Sequence, residues 1–120
     1  MKVLVLDDNQ ETTDMLAIYF ETQGVDVITI NDGRQGLELI RKEKFHLILL
    51  DLAMPNFSGI DIIDHLDKEN VIGSKNIVIF TASSVKDELL EELKKSIKGI
   101  LKKPIDFDEL EALVTKFRET

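Results

Sequence analysis

Asp51 stands at the end of an unbroken apolar run, Leu47 to Leu50, with His46 before it and Leu52-Ala53-Met54-Pro55 after it. Such a run, without polar alternation, is the pattern of a strand buried on both faces, which belongs to a parallel sheet covered by helices. Three other short strands end in the same way. Lys2 to Leu6 runs into Asp7-Asp8, Asn76 to Phe80 into Thr81, and Lys98 to Leu101 into Lys102, Lys103 and Pro104. In an open α/β sheet the ligand crevice lies at the carboxyl ends of the strands, so these side chains are placed to meet. Three carboxylates in one crevice repel. At ~5 Å and an effective dielectric near ~20, each pair costs roughly 3 kcal/mol before screening. Such a cluster takes up protons or binds a hard cation. Oxygen-only ligands, no cysteine and no nearby histidine favour Mg²⁺. A carboxylate beside that ion, a lysine ammonium and a threonine hydroxyl is set to become an acyl phosphate, because aspartate is a phosphoryl-accepting nucleophile. The cation and the ammonium would offset the charge on the transferred group.

The elements that must position these residues alternate strand and helix along the whole chain. After the first strand, Met15, Leu16, Tyr19 and Phe20 recur at helical spacing, and Gly24 is a left-handed stop. Val25 to Ile30 alternates apolar and polar, which predicts a strand at or near the sheet edge. Asp32 caps the next helix with Gln35 in the capping-box place, and Leu37, Ile40 and Phe45 carry its buried side. Ser58 caps a third helix with Ile60, Ile62, Ile63 and Leu66 as its apolar residues. Ser84 caps a fourth, with Val85, Leu89, Leu90 and Leu93 facing inward. Asp106 caps the last, with Ile105 and Leu110 placed as a hydrophobic staple and a stripe of Leu110, Leu113, Val114 and Phe117. Strict alternation predicts a parallel sheet built by right-handed crossovers. The expected architecture is a three-layer, doubly wound, five-stranded α/β sheet in the flavodoxin-like order 2-1-3-4-5, a single domain over residues 1–120. In that order the first and third strands are neighbours at the switch point, so Asp7, Asp8 and Asp51 share one crevice.

Composition narrows the function. Net charge is −8, with 23 acidic against 15 basic residues. That argues against direct nucleic-acid binding and against anionic membrane surfaces. There is no cysteine, which excludes disulfides and thiol catalysis, and no apolar stretch approaches a membrane span. A cytoplasmic protein is the default. Lys102 and Lys103 compete for one role; adjacency to Pro104 selects Lys103, and strand alternation turns Lys102 away to solvent. His46 and His65 lack companions at metal-ligand spacing and read as surface or boundary residues.

These residues carry a family resemblance. LVLDDN, LILLDLAMPNFSG, IVIFTAS and LKKPID, in that order and at strand ends, make the chain similar to the receiver domain of two-component response regulators, in the manner of a single chemotaxis-regulator-like receiver. The resemblance implies a phosphorelay signalling phosphoprotein in which Asp51 accepts a phosphoryl group from a sensor histidine kinase or a histidine phosphotransfer protein. It implies Mg²⁺ held by Asp7, Asp8, Asp51 and the backbone carbonyl of Ala53, with Asp7 acting largely through water. Thr81 would move to the phosphoryl oxygen, small Ala82 would leave room for it, and Lys103 would pair with the phosphoryl across a cis bond to Pro104. A downstream protein would dock on the face formed by helix four, strand five and helix five, with the domain a monomer or a phosphorylation-linked dimer. Two positions depart from the family pattern: Ile100 stands where Tyr or Phe is common, and Ser96-Ile97 where Gly-Ala is frequent.

The alternative is a receiver-like binding module that works without phosphorylation, motivated by Ile100. An enzyme acting on outside substrates is disfavoured; only self-catalysed phosphotransfer and slow autodephosphorylation are expected. An aspartyl phosphatase of the haloacid dehalogenase type needs a second Asp two residues after its nucleophile, and those places hold Ala53 and Asn9. A flavin site needs a Ser/Thr/Gly phosphate loop where Asp7-Asp8 stands.

Overall fold

The computed structural model describes residues 1–82 and 85–118. Five strands, β1 (Lys2–Leu6), β2 (Asp26–Ile30), β3 (Leu47–Asp51), β4 (Ile77–Thr81) and β5 (Gly99–Lys102), form one sheet in the order β2-β1-β3-β4-β5. Every pairing is parallel. The helices α1 (Gln10–Thr22), α2 (Gly33–Lys42), α3 (Gly59–Lys68), α4 (Asp87–Leu93) and α5 (Phe107–Arg118) complete the strand–helix alternation, with a 3-10 turn at Ile72–Ser74. The expected architecture and strand order are therefore observed.

Strand parity sorts the core into two layers. Leu4, Leu6, Ile48, Leu50, Ile77 and Ile79 pack with the apolar faces of α2, α3 and α4. Val3, Val5, Leu47, Leu49, Val78, Phe80 and Leu101 pack with α1 and α5. The three central strands are thus apolar on both sides, which is why their sequences do not alternate. β2 is an edge strand, and its residues are exposed or half-buried.

Local signals set the helix boundaries. α1 ends in a Schellman motif: Val25 N–H donates to Phe20 O and Gly24 N–H to Glu21 O, with Gly24 at φ +71°. Asp32 caps α2 by accepting from the N–H groups of Arg34 and Gln35. Ser58 and Asp61 form a reciprocal capping box on α3. Asp106 accepts from the N–H groups of Asp108 and Glu109 at the start of α5. α4 opens at Lys86, whose side chain makes no capping bond; the expected cap, Ser84, lies outside the described residues.

Two apolar residues within the helical patterns point outward. Met15 is 40% and Ile60 38% exposed. Each flanks its helix's buried stripe, and the inward place on α1 is taken by Thr13, which is fully buried.

Gly59 fixes how close α3 comes to the end of β3. A Cβ there would sit 2.3 Å from Asp51 O and 2.9 Å from Leu52 Cα, both backbone atoms with nowhere to retreat. Gly59→Ala should therefore destabilise the fold by about 2 kcal/mol, as overpacking against backbone does. A urea titration would check this; an unchanged midpoint would show that the β3–α3 junction yields freely.

Candidate functional site

The register of the central strands assembles the site. β1 and β3 pair Leu6 with Leu50, so Asp7 and Asp51 occupy the next adjoining positions at the sheet's carboxyl edge. Asp7, Asp8 and Asp51 each offer a carboxylate oxygen, and these oxygens lie within 4.8 Å of one another. Asp7 and Asp51 are buried, while Asp8 is exposed at the mouth. The expected three-carboxylate crevice is present.

Each buried carboxylate is held by a local N–H. Asn9 N–H donates to Asp7 Oδ1 at 2.9 Å, and Ala53 N–H donates to Asp51 Oδ1 at 3.2 Å. Lys103 reaches over from the end of β5. Its Nζ is 3.0 Å from Asp7 Oδ2 and 3.7 Å from Asp51 Oδ2. The same ammonium lies 5.0 Å from the centroid of the Phe80 ring, a cation–π distance. Lys102 is exposed, so Lys103 is the lysine of the site. The Lys103-Pro104 bond is cis.

Burial and the neighbouring Asp7 charge push the Asp51 carboxyl up to about 6, and the Ala53 N–H and the Lys103 ammonium offset only part of this. One lysine does not balance three carboxylates, and the site remains short of positive charge. All the protein donors in the cluster are hard oxygens, which suits a small divalent cation such as Mg²⁺.

Thr81 ends β4 and is buried. It shares strand parity with Ile77 and Ile79, on the side of α2, α3 and α4, whereas Asp51 shares parity with Leu47 and Leu49 on the side of α1 and α5. Its hydroxyl makes a long 3.4 Å bond to Ala82 O, so little holds it in one rotamer. Its own carbonyl accepts from Lys103 N–H at 2.7 Å, which ties the ends of β4 and β5 together.

Sequence reasoning passed over one part of the site. Asn31 Nδ2 donates to the backbone carbonyl of Asp7 at 2.7 Å and to Thr13 Oγ1 at 3.1 Å. Neither residue type announces this role; an Asn directly before a helix cap reads as loop. His46 and His65 are exposed and away from the carboxylates, as expected. His46 Nδ1 accepts from Lys2 N–H, and the His65 ring lies beside Phe57.

Beyond the acidic cluster, α4, β5 and the start of α5 border an open groove of about 630 Å³. Leu90, Ile97 and the half-buried Ile100 line it, with Glu91, Lys94 and Lys102 at its rim.

The model of the family described as response regulator receiver domain matches residues 3–115. The chain is 33% identical over 114 residues to the transcriptional regulatory protein ZraR of Escherichia coli (strain K12), an alignment covering 95% of this chain and 25% of that protein. It is 32% identical over 113 residues to the DNA-binding response regulator MtrA of Mycobacterium leprae (strain TN), covering 94% and 49%. The chain thus spans about a quarter to half the length of these relatives. Among solved structures, the receiver domain of the Francisella response regulator 1452 superposes with a TM-score of 0.86 at 30% identity, covering 98% of this chain and 96% of that one. The chemotaxis response regulator CheY4 of Vibrio cholerae superposes with a TM-score of 0.82 at 25% identity, covering 97% of each.

Proposed function

The chain belongs to the response regulator receiver family, and from that premise we propose that Asp51 is its phosphoacceptor in a phosphorelay. The observation that carries this reading is the convergence of Asp7, Asp8, Asp51 and Lys103 at one carboxyl edge of the sheet. A carboxylate oxygen of Asp51 attacks the phosphorus of a donor phosphohistidine. The new P–O bond forms as the P–N bond breaks, and the donor imidazole leaves with the electron pair and is protonated by solvent. Lys103 moves its ammonium from the carboxylates toward the incoming phosphoryl oxygens, and Thr81 turns its weakly held hydroxyl to meet them. Asp7, Asp8, Asp51 and the carbonyl of Ala53 would hold Mg²⁺, which would neutralise charge on the transferred group. Asp51 has to be ionised to attack, and an ion held by the three carboxylates would supply the positive charge that Lys103 alone does not.

The partners follow from the same site. A sensor histidine kinase or a phosphotransfer protein has to approach the site; Met15 and Phe107, 40% and 42% exposed, border a cleft with Lys103 and Pro104, and Ile18 on α1 is 63% exposed. These apolar residues, with the cleft at Met15, Pro104 and Phe107, favour a protein surface as the donor's landing place. The groove along α4 and β5 supports a second protein as the target of the signal. The acidic surface favours protein over nucleic acid as this domain's own contact. No helix among the described residues is long and apolar enough to cross a membrane, and a cytoplasmic place in the relay is consistent with that. Turnover of outside substrates is not part of the reading.

Incubation with acetyl phosphate and Mg²⁺, followed by intact mass, tests the proposal. One added phosphoryl group is expected on the wild type and none on Asp51→Ala; an unmodified wild type, or an equally modified variant, would reject it. Ile100, in place of an aromatic, favours a second reading in which the fold binds its partner without phosphate. A beryllofluoride titration that moves no amide resonance would support that one.

A further inference from the structure

We propose that Asn31 is a positioning residue for the acidic site, acting through the main chain of Asp7. The ladder between β1 and β2 ends with Leu6 opposite Ile30, and Asp7 N–H donates to Ile30 O at 3.2 Å. In a parallel ladder the next rung would bring a β2 N–H to the Asp7 carbonyl. The chain has already left the sheet there, because Asp32 turns to cap α2. The side chain of Asn31 supplies the missing donor, at 2.7 Å. A carbonyl only accepts, so the nitrogen of the amide must face it.

The second hydrogen of that amide goes to Thr13 Oγ1, whose own hydroxyl donates to Gln10 O in the first turn of α1. One amide therefore joins the ends of β1 and β2 to the start of α1. Thr13 is fully buried, and its hydroxyl takes only the amide's second hydrogen, so the bond to Asp7 does not depend on it. With its N–H on Ile30, its carboxylate on Asn9 N–H and Lys103, and its carbonyl on Asn31, Asp7 is tethered through each of its polar groups. The carbonyl tether sets the plane of the peptide linking Asp7 to Asp8. That plane determines where the Asp8 carboxylate sits relative to Asp7 and Asp51.

This inference rests on the Mg²⁺ reading above, and its test separates the two. Amide chemical shifts are followed while Mg²⁺ alone is titrated into the wild type, Asn31→Leu, Asn31→Ala and Thr13→Val. Asn31→Leu keeps the bulk and removes the donor; Thr13→Val removes the anchor hydroxyl and leaves the bond to Asp7. Both Asn31 variants should bind Mg²⁺ about tenfold more weakly, the size of one hydrogen bond lost at a preorganised site. Thr13→Val should stay within about twofold of wild type even where its melting temperature falls. Asn31 variants within about twofold of wild type would overturn the inference. So would Thr13→Val weakening Mg²⁺ as much as they do, because the effect would then travel through α1 as a whole. A wild type with no Mg²⁺-dependent shifts at Asp7, Asp8 and Asp51 would overturn the metal reading itself, and this inference with it.

Discussion

Asp51→Asn should stabilise the protein without added divalent ion by about 3 kcal/mol at neutral pH, and the gain should vanish near pH 4. The Asp51 carboxyl is held at about 6 in the folded protein against an ordinary value of 3.8. Its folded state therefore keeps a proton that the unfolded chain has released across that window. Stability contributed by this group is greatest below the ordinary value and falls as pH rises from about 4 to 6. Above 6 the folded protein carries the full cost of a buried anion beside Asp7. Asparagine has the same shape and no charge, so it escapes that cost, and below 4 both side chains are neutral. Urea unfolding of the two proteins between about pH 4 and 7.5 measures the difference. A difference that did not change with pH would mean that the carboxyl is not strained in the fold. Adding Mg²⁺ should reverse the order at neutral pH, because an ion bound only by the folded wild type stabilises it by mass action.

The second large effect belongs to Lys103. Lys103→Met should slow phosphoryl uptake from acetyl phosphate by about a hundredfold, the usual consequence of deleting one preorganised charged donor. The same change should destabilise the fold at neutral pH, because Asp7 and Asp51 lose the cation 3.0 Å and 3.7 Å away. Lys103→Met combined with Asp7→Asn should recover stability and leave uptake slow. Measured against Asp7→Asn alone, which lacks the same proposed Mg²⁺-holding carboxylate, that pattern separates the lysine's part in phosphoryl transfer from its part in holding the carboxylates. Timed intact-mass measurements and urea titrations on the same samples would show it. Recovery of uptake in the double variant would instead assign the slow rate to unfolding.

What the sequence made legible, and what it did not, follows from the kind of signal each feature leaves. The apolar runs of β3 and β4 show because central strands are buried on both faces, and β2 shows because an edge strand alternates. Asp7, Asp8, Asp51, Thr81 and Lys103 show because a polar residue ending an apolar run marks a strand's carboxyl end. The caps Asp32, Ser58 and Asp106 show because their bonds are to residues two or three positions away. The exposure of Met15 and Ile60 was not legible, because helical spacing identifies an apolar pattern but not which of its members lie on the flank of the buried stripe. Asn31 and Thr13 were missed for a different reason. Their bonds span 24 and 18 positions, and the acceptor that matters is a backbone carbonyl, which no side-chain pattern reports. Gly59 likewise acts by what it lacks, against a backbone atom of another element.

The short main-chain bond from Lys103 N–H to Thr81 O has a mechanical consequence. Hydroxyl and ammonium grow from two strand tips joined by this bond, so a backbone shift of one tip carries the other with it. Ile100 stands on the same strand as Lys102, opposite Ile79, and lines the groove bordered by α4 and β5, so the bond and the groove share β5.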